Sequence, residues 1–202
     1  MKKNKLKILF IGAGNIAKQH LFALDKLTDL KYSWICSRTN SKSKKLAQTF
    51  LMKHVEENYE NFIKKNIKNI DGIFILVSAD QIFKISKKIL KFKIPIFIEK
   101  PPGLNIKQLN ELNNLSKKYK TSNLVGYNRR HYSIIQKLKN KLKNETIISA
   151  HVEAHERYWL LKKEKITVKD KFVLKNWTYA NTSHVLNLLI FLLGDFKKVI
   201  SF

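Results

Sequence analysis

The residues with the clearest capacity for chemistry lie near the start of the chain, in the stretch LKILFIGAGNIAKQH. Gly12, Gly14 and Ala17 fit the pattern G-x-G-x-x-G/A, between a short apolar run and a helical repeat. The first glycine allows a tight turn, the second lets the main chain approach a diphosphate, and the small third residue lets helix and strand pack. The N–H groups at the start of the helix, around Asn15 and Ile16, then face the phosphates. The pattern predicts a nucleotide-binding turn, with a turn that serves only packing as the alternative.

The residues after the second predicted strand, CSRTNSKSK, indicate which dinucleotide is preferred. A protein that binds NAD places a carboxylate there, about 20 residues after the glycines, to accept a hydrogen bond from the ribose 2′-hydroxyl. This stretch contains no acidic residue. Arg38 can pair with a 2′-phosphate, and the hydroxyls of Ser37 and Thr39 can donate to it. We therefore expect NADP(H) to be preferred over NAD(H), and a solvated loop without a ligand is the other interpretation.

Apolar runs and helical repeats alternate along residues 7–128, and this order predicts the fold that positions the glycine turn and the loop around Arg38. Alternation of strands with helices requires parallel pairing and right-handed crossovers. Nearly all-apolar strands such as IDGIFILVS are typical of a parallel sheet covered on both faces. We predict an α/β fold whose N-terminal Rossmann dinucleotide-binding domain, residues 1–127, is a doubly wound parallel sheet. The predicted strands are 7–11, 31–36, 70–78, 94–99 and 122–128, and the predicted helices are 15–27, 41–53, 83–92 and 105–119.

The pattern changes after this sheet, where we place a partial C-terminal domain, residues 128–202. Its predicted elements are a connecting helix at 129–144, a strand at 146–159, an apolar helix at 183–193 and a final strand at 197–202. These elements make an incomplete α/β domain with an open sheet. Unpaired strand edges and exposed apolar side chains favour association between chains, so we expect a homo-oligomer.

The chain is strongly basic, with 40 lysines and arginines against 15 acidic residues and a formal net charge of +25. Such a balance is typical of proteins that bind nucleic acid. Only four of the basic residues are arginines, however, and arginine is the type that clamps phosphates and reads bases. Because the lysines are scattered over polar faces, we attribute them to AT-rich coding DNA and expect no nucleic-acid partner. A basic nucleic-acid-binding module is the least favoured alternative.

The sequence also bears on compartment and metal binding. Cys36 is the single cysteine and cannot form an internal disulfide, which suits a reducing compartment. Gly12 and Gly14 interrupt the N-terminal apolar run, unlike a signal peptide, and the run VLNLLIFLLG is too short to span a bilayer. We therefore expect a cytoplasmic protein with no membrane partner. In the stretch HVEAHER, alternation places both histidines on one face of a strand rather than around an ion, so no metal is expected.

Three further motifs complete a recognisable set: EKPPGL after the strand at 94–99, VGYNRR at the end of the strand at 122–128, and SHVLNLLIFLLG near the C-terminus. Together with GAGNIAKQH, they resemble the glucose-fructose oxidoreductase and inositol dehydrogenase family, known as Gfo/Idh/MocA. The resemblance implies a Rossmann domain and a C-terminal α/β domain, with the substrate between them. It thus implies that the partial C-terminal domain, residues 128–202, serves substrate binding and dimerisation. It also implies hydride transfer between a nicotinamide and a carbinol or carbonyl carbon of a sugar, a sugar nucleotide or a cyclitol.

The same resemblance implies roles for individual residues. Lys100 would hydrogen-bond the reacting oxygen and polarise it, Pro101 would set a rigid turn beneath the cofactor, and His184 would act as acid or base. Asn128 or Arg130 would line the junction between the domains. The full set of expected cofactor-binding residues is Gly12, Gly14, Asn15, Ile16, Ser37, Arg38, Thr39, Ser78, Glu99, Lys100, Pro101 and Asn128.

The chain also departs from the family pattern. Ala180 stands where the family commonly has an aspartate one helical turn before the histidine, Asn187 stands where an aspartate often follows it, and Phe83 stands where a histidine is usual. At 202 residues, the chain is also shorter than family members normally are. The alternative function is therefore a cofactor-binding but catalytically weak or inactive truncated member, acting as a sensor or a partner subunit.

Overall fold

The structure is a computed structural model that describes residues 6–27, 30–155 and 171–200. The chain divides into two units, Met1–Gly126 and Tyr127–Phe202. The predicted strands at 146–159 and 197–202 lie partly outside the described residues, as do the side chains of the second predicted strand up to Ser33. Each unit is described by itself below.

The first unit is built on a parallel sheet of six strands. They are β1 (Leu6–Ile11), β2 (Leu30–Cys36), β3 (Lys53–His54), β4 (Gly72–Ile75), β5 (Ile96–Ile98) and β6 (Asn123–Val125). Their order, β3-β2-β1-β4-β5-β6, is that of the doubly wound Rossmann sheet, which confirms the predicted fold class. The direction of winding reverses between β1 and β4, and a ligand crevice forms beyond the carboxyl ends of the strands at such a point.

Helices cover both faces of this sheet because successive residues of a strand point to opposite faces. They are α1 (Asn15–Leu24), α2 (Asn40–Thr49), α3 (Tyr59–Asn66), α4 (Ala79–Ile89) and α5 (Ile106–Tyr119). On one face, Phe10 of β1 belongs to the same buried cluster as Leu21 of α1. On the other face, the adjacent residue Leu9 is buried in a cluster with Ile63 of α3 and Ile82 of α4. The two cores hold the turns at the carboxyl edge in fixed positions.

The structure corrects the sequence prediction between β2 and β4. The predicted helix at 41–53 ends at Thr49, because Leu51 has a φ of 52° and the chain then turns into the short strand β3, which pairs with β2. Neither β3 nor α3 is predicted from the sequence. A two-residue strand is too short to show an alternating pattern, and the only side chain that α3 buries is that of Ile63.

Helices make up the regular structure of the second unit in its described residues. They are α6 (Ser133–Leu142), α7 (Lys171–Lys175), a π-helical turn (Thr178–Thr182) and α8 (Ser183–Leu193). The predicted helix at 183–193 is confirmed, and the one at 129–144 is shortened by a 3-10 turn at Asn128–His131. The Lys139 ammonium donates to the carbonyl of Leu192 at 3.1 Å, which joins α6 to α8. Nowhere in the described ranges is a helix both long and apolar enough to cross a membrane.

The two strands predicted in the second unit are wrong over the residues that the structure describes. Neither 146–155 nor 197–200 pairs with another strand. A strand is stable when its N–H and C=O groups bond to a neighbouring strand, and alternating polarity without such a neighbour leaves both faces in water. Ile148, for example, is 96% exposed.

Candidate functional site

A sharp turn joins β1 to α1 at the carboxyl edge of the sheet. Gly12 has a φ of +117°, which residues with a side chain rarely adopt, and its N–H donates to the carbonyl of Cys36 at 2.8 Å. A Cβ on Gly12 would lie 2.1 Å from the carbonyl oxygen of Leu76. Conformation and packing therefore both require glycine at this position.

Gly14 differs from Gly12 in what a side chain there would meet. Its φ is −84°, and a Cβ on Gly14 would have no atom within 4 Å. Gly14 is also the N-cap residue of α1, so it brings no side chain to bond the first N–H groups of that helix. The first turn is thus open to an anion. Ala17, the third small residue of the motif, is fully buried beneath it.

A cleft of about 1170 Å³ opens along this edge of the sheet, within the first unit. It is bordered by the β1–α1 turn, by the loop after β2 and by the start of α4. The expected cofactor residues that line it are Gly12, Gly14, Ile16, Ser37, Arg38, Thr39 and Ser78. Asn15 lines a second pocket of about 450 Å³, which shares Ala13, Gly14 and Lys42 with the cleft. The fold thus gathers three distant sequence segments around one space.

The loop after β2 is held by hydrogen bonds on its inner side. The Ser37 hydroxyl donates to the carbonyl of Thr39 at 2.7 Å and lies 3.2 Å from the Ser43 hydroxyl. Ser43 is fully buried, and its oxygen lies 3.0 Å from Nε2 of His54. Arg38, in the middle of this loop, is exposed and lines the cleft. The network therefore holds the main chain that presents Arg38 to the cleft.

The charges around the cleft favour an anionic ligand. Arg38, Lys42 and Lys84 are among the residues that line it. Two glutamates also line it, but the carboxylate of Glu56 lies 2.7 Å from the Lys44 ammonium and that of Glu57 lies 2.8 Å from the Lys65 ammonium. The hydrogen bond from Lys44 lowers the pKa of Glu56. Because each carboxylate faces a lysine, their negative charge is offset locally.

The start of α4 forms a further wall of the cleft. Ser78 is the N-cap residue of α4, and Gln81 lies in its first turn. Burial alone would raise the pKa of Asp80, but hydrogen bonds from the side chains of Ser78 and Gln81 outweigh it and hold that pKa below its usual value. An ionised carboxylate in the first turn stabilises the positive end of a helix. Asp80 thereby holds both cleft-lining side chains in place.

Cys36 ends β2 and lines the cleft, but its environment keeps the thiol unreactive. The residue is 5% exposed, and burial raises the pKa of Cys36 to about 12. The thiolate, rather than the thiol, is the nucleophile, so Cys36 is protonated and inert at neutral pH. Its Sγ lies 3.7 Å from the carbonyl oxygen of Phe10, to which it donates.

The EKP motif directly follows β5. Glu99 is 8% exposed, and one carboxylate oxygen lies 3.0 Å from Nε2 of His20 in α1. The other oxygen accepts a hydrogen bond from the N–H of Lys100 at 2.9 Å. Lys100 is half-buried, and its peptide bond to Pro101 is cis. These three expected cofactor-binding residues are not part of the lining of the cleft, and both oxygens of the Glu99 carboxylate are engaged by His20 and by the main chain of Lys100.

His184 lies in the first turn of α8, in the second unit. Its ring centre is 5.7 Å from that of Tyr127, and the two rings meet edge to face. The π-helical turn Thr178–Thr182 immediately precedes α8. Such turns are rare and are frequently found at functional sites. Ala180, within this turn, is buried.

Arg130 is anchored on α8 within the second unit. Its Nε donates to the side-chain oxygen of Asn187, and its guanidinium lies 5.4 Å from the ring centre of Phe191. Asn128, the first residue of the 3-10 turn, is exposed. The Arg130 guanidinium can donate to an amide oxygen, as it does to Asn187, and could equally donate to a carboxylate oxygen at that position.

Three features of the first unit fit a dinucleotide. The positive φ of Gly12 makes the tight turn between β1 and α1, the open position at Gly14 lets a diphosphate approach the first turn of α1, and the cleft exceeds the roughly 300–1,000 Å³ of ordinary small-molecule pockets. The residues that would hold it are those of the glycine turn and the loop after β2. Among the described residues there is no group of three or more histidine, cysteine, aspartate or glutamate side chains that could hold a metal ion.

Residues 6–127 match the family described as GFO_IDH_MocA, the oxidoreductase family with an NAD-binding Rossmann fold. This match covers more than half of the 202 residues. The chain belongs to this family. The resemblance drawn from the sequence motifs is confirmed, and the first unit carries the Rossmann fold that this family model describes.

Individual proteins show the same relationship at low identity. The chain is 26% identical over 142 residues to YrbE, an uncharacterized oxidoreductase of Bacillus subtilis, over 70% of this chain and 41% of that protein. Myo-inositol 2-dehydrogenase from Lactobacillus plantarum has a similar structure, with a TM-score of 0.63 and 22% identity, over 70% of this chain and 42% of that one. GenD2 from gentamicin A biosynthesis, in complex with NAD, has a TM-score of 0.74 and 14% identity, over 95% of this chain and 54% of that one. At these identities the two solved structures show a shared fold. This Gfo/Idh/MocA chain spans about half the length of the proteins that it matches.

Sequence reasoning misses several residues that shape the site. His20 falls on the apolar face of α1. A polar residue on an apolar face indicates a buried hydrogen-bond partner, but the sequence does not show that this partner is Glu99. Ser43 and His54 carry no signal at all, because their contact depends on β3, which the sequence does not predict. Lys42 lines the cleft, but the sequence does not single it out because lysines are abundant throughout the chain.

Proposed function

We propose that this chain binds NADP(H) and transfers a hydride between the nicotinamide and a carbinol or carbonyl carbon of a sugar, a sugar nucleotide or a cyclitol. The observation that carries the proposal is the glycine turn: glycine is obligatory at Gly12, and a Cβ on Gly14 would point into open space. Membership of an NAD-binding oxidoreductase family supports the reaction class. Similarity in fold to a myo-inositol 2-dehydrogenase supports the substrate class.

The chemistry of the loop after β2 supports a preference for NADP(H) over NAD(H). Arg38 and Lys42 line the cleft together with the hydroxyl residues Ser37 and Thr39. A carboxylate that would accept from a ribose 2′-hydroxyl is missing between residues 37 and 44. A guanidinium pairs with a phosphate through two parallel hydrogen bonds, so Arg38 is the proposed contact for the 2′-phosphate.

Lys100 and His184 are the proposed residues at the reacting oxygen. The nicotinamide, when bound, supplies the carbon that gives or accepts the hydride. The Lys100 ammonium would donate a hydrogen bond to the substrate oxygen and stabilise the negative charge that develops there, an effect whose loss lowers kcat by about 10²–10³-fold in other enzymes. The His184 imidazole would exchange a proton with that oxygen, a task for which histidine is suited near neutral pH.

A second candidate function is cofactor binding with weak or no catalysis, as a sensor or a partner subunit. Ala180 favours it: one turn before His184, where an orienting carboxylate would sit, the chain has a buried methyl group. Asn187, one turn after His184, is neutral and bonds Arg130.

We further propose a cytoplasmic homo-oligomer that has no nucleic-acid or membrane partner. The second unit supports the oligomer, because large apolar side chains are exposed on it, among them Ile134, Leu186 and Phe196. Exposed apolar surface of this kind favours association between chains. The shortage of arginine among the basic residues supports the lack of a nucleic-acid partner.

Cofactor titration and turnover test the two parts of the proposal separately. We expect NADPH to raise the Tm and to bind at least about tenfold more tightly than NADH, the contribution of one charged hydrogen-bonded pair. Turnover is then assayed with sugars, sugar nucleotides and cyclitols, and Lys100→Ala is expected to abolish it while NADPH still binds. NADPH binding with no turnover across the panel supports the second candidate. A Tm that millimolar NADPH leaves unchanged contradicts both.

A further inference from the structure

A buried carboxylate links the helix of the glycine turn to the proposed catalytic lysine. The side chain of Glu99 is 10% exposed and that of His20 is 23% exposed. One Glu99 oxygen lies 3.0 Å from Nε2 of His20, and the other accepts from the N–H of Lys100 at 2.9 Å. Both carboxylate oxygens are therefore engaged, one by α1 and one by the main chain of Lys100.

Apolar rings and a glycine leave this pair little room to move. The His20 ring meets Phe97 edge to face with the ring centres 5.1 Å apart, and meets Phe74 at 6.1 Å. A Cβ on Gly126 would lie 3.2 Å from the near oxygen of Glu99 and 2.9 Å from Phe97. A carboxylate in such surroundings contributes little net stability, because its desolvation offsets much of the attraction to its partner. Its presence in the core points to a role other than stability.

The positions of the two residues along the chain suggest that role. His20 lies five residues after Asn15, where α1 begins beside the glycine turn. Glu99 immediately precedes Lys100 at the end of β5, and its own N–H is tied to the carbonyl of Ile75 in β4 at 3.0 Å. The carboxylate thus holds the first peptide of the EKP turn against the helix whose N-terminus faces the cleft.

We propose that His20 and Glu99 are positioning residues that set the placement of Lys100 relative to the dinucleotide. The inference rests on the proposed function in taking Lys100 as the residue at the reacting oxygen. Neither His20 nor Glu99 contacts the substrate in this proposal. They act by holding the main chain from which the Lys100 side chain extends.

Site-resolved acylation of Lys100 tests the inference without any substrate. The folded protein is treated with a trace of an acetylating ester, and peptide mass spectrometry gives the rate at each lysine. The exposed residue Lys120 is the internal reference. In the absence of cofactor, we expect Glu99→Ala and His20→Ala to change the Lys100 rate relative to Lys120 by about fivefold, the effect of losing one typical hydrogen bond.

Two further variants separate positioning from simple loss of stability. His20→Gln keeps an N–H donor for the Glu99 carboxylate and should restore the Lys100 rate to within about twofold of the wild type. Glu60→Gln removes a carboxylate that pairs with Lys88 elsewhere on the unit, and should leave the Lys100 rate unchanged. A Lys100 rate that is the same in Glu99→Ala, His20→Ala and wild type overturns the inference. So does a His20→Gln variant as altered as His20→Ala.

The same experiment with NADPH present distinguishes failure of the inference from failure of the proposed function. If Lys100 lies at the redox end of the dinucleotide, NADPH slows its acylation in the wild-type protein. Loss of this protection in Glu99→Ala and His20→Ala, at NADPH concentrations that saturate each variant by fluorescence, supports the inference. Wild-type protein that binds NADPH without protecting Lys100 overturns the proposed role of Lys100, whereas equal protection in wild type and both alanine variants overturns the positioning role alone.

Discussion

Gly12 and Leu76 approach so closely that a Cβ on Gly12 would lie 2.1 Å from the Leu76 carbonyl oxygen. The approach is a consequence of strand pairing, because the N–H of Leu76, one residue beyond the end of β4, donates to the carbonyl of Ile11, the last residue of β1, at 2.8 Å. Gly12 and Leu76 therefore close the floor of the cleft at the point where the winding of the sheet reverses.

The two motif glycines should respond differently to alanine. Gly12→Ala introduces both the clash with Leu76 and an unfavourable positive φ, so we expect it to lower the free energy of unfolding by at least about 1–3 kcal/mol. Gly14→Ala meets no neighbouring atom and should change that free energy by less than about 1 kcal/mol, while weakening NADPH binding. Urea unfolding and fluorescence titration measure the two effects. Equal destabilisation by both substitutions would contradict the assignment.

Arg38 should determine the preference between the two dinucleotides. Arg38→Ala removes the proposed partner of the 2′-phosphate, and we expect NADPH affinity to fall by about 10–100-fold, the value of one charged hydrogen-bonded pair. NADH affinity should change by less than about threefold, because NADH has no 2′-phosphate. Arg129→Ala, which alters an exposed arginine of the second unit, is the matched control for charge. A parallel loss of NADPH and NADH affinity would argue against this role.

The buried Ser43 hydroxyl should stabilise the loop after β2, which contains Ser37, Arg38 and Thr39. Ser43→Ala deprives both the Ser37 hydroxyl and Nε2 of His54 of a partner in a buried site, and an unsatisfied buried polar group costs about 1–3 kcal/mol. We expect the Tm to fall and NADPH affinity to decrease with it. Thr49→Ala removes a hydroxyl that bonds its own helix at the surface, and serves as a control expected to change little. If NADPH affinity is intact in Ser43→Ala, the loop does not depend on this network.

Cys36 should make the protein less stable as the solution becomes alkaline. Burial raises the pKa of Cys36 to about 12 in the folded chain, whereas the unfolded thiol ionises near pH 9. The folded state is therefore favoured below about pH 9, and this contribution is lost as the pH rises: about 2 kcal/mol between pH 9 and pH 10.5, at 1.36 kcal/mol per pH unit. Lysines titrate in the same range, so the measure is the difference between wild type and Cys36→Ala in urea unfolding. Identical pH slopes in the two proteins would refute this prediction.

The local parts of the site are the ones that sequence reasoning predicts. The turn at Gly12 and Gly14 and the acid-free loop around Arg38 are contiguous stretches whose chemistry is evident from their residues alone. The contacts of Glu99 with His20 and of Ser43 with His54 join segments that are separated in the chain, so no local sequence pattern predicts them. The segment at 146–155 shows the opposite failure, because its alternation predicts a strand that has no neighbour to pair with in the described structure.

The sequence by itself determined the alternation of apolar strands with helices, the glycine turn, the positive loop and the family to which the chain belongs. Each of these depends on neighbouring residues or on a short motif, so it needs no knowledge of what lies across the fold. The tertiary structure alone decided that Gly12 must be glycine, since its limiting contact is with Leu76. It also decided that Glu99 faces His20 and that Cys36 is inert, because burial and pairing depend on which distant segments the sheet brings together.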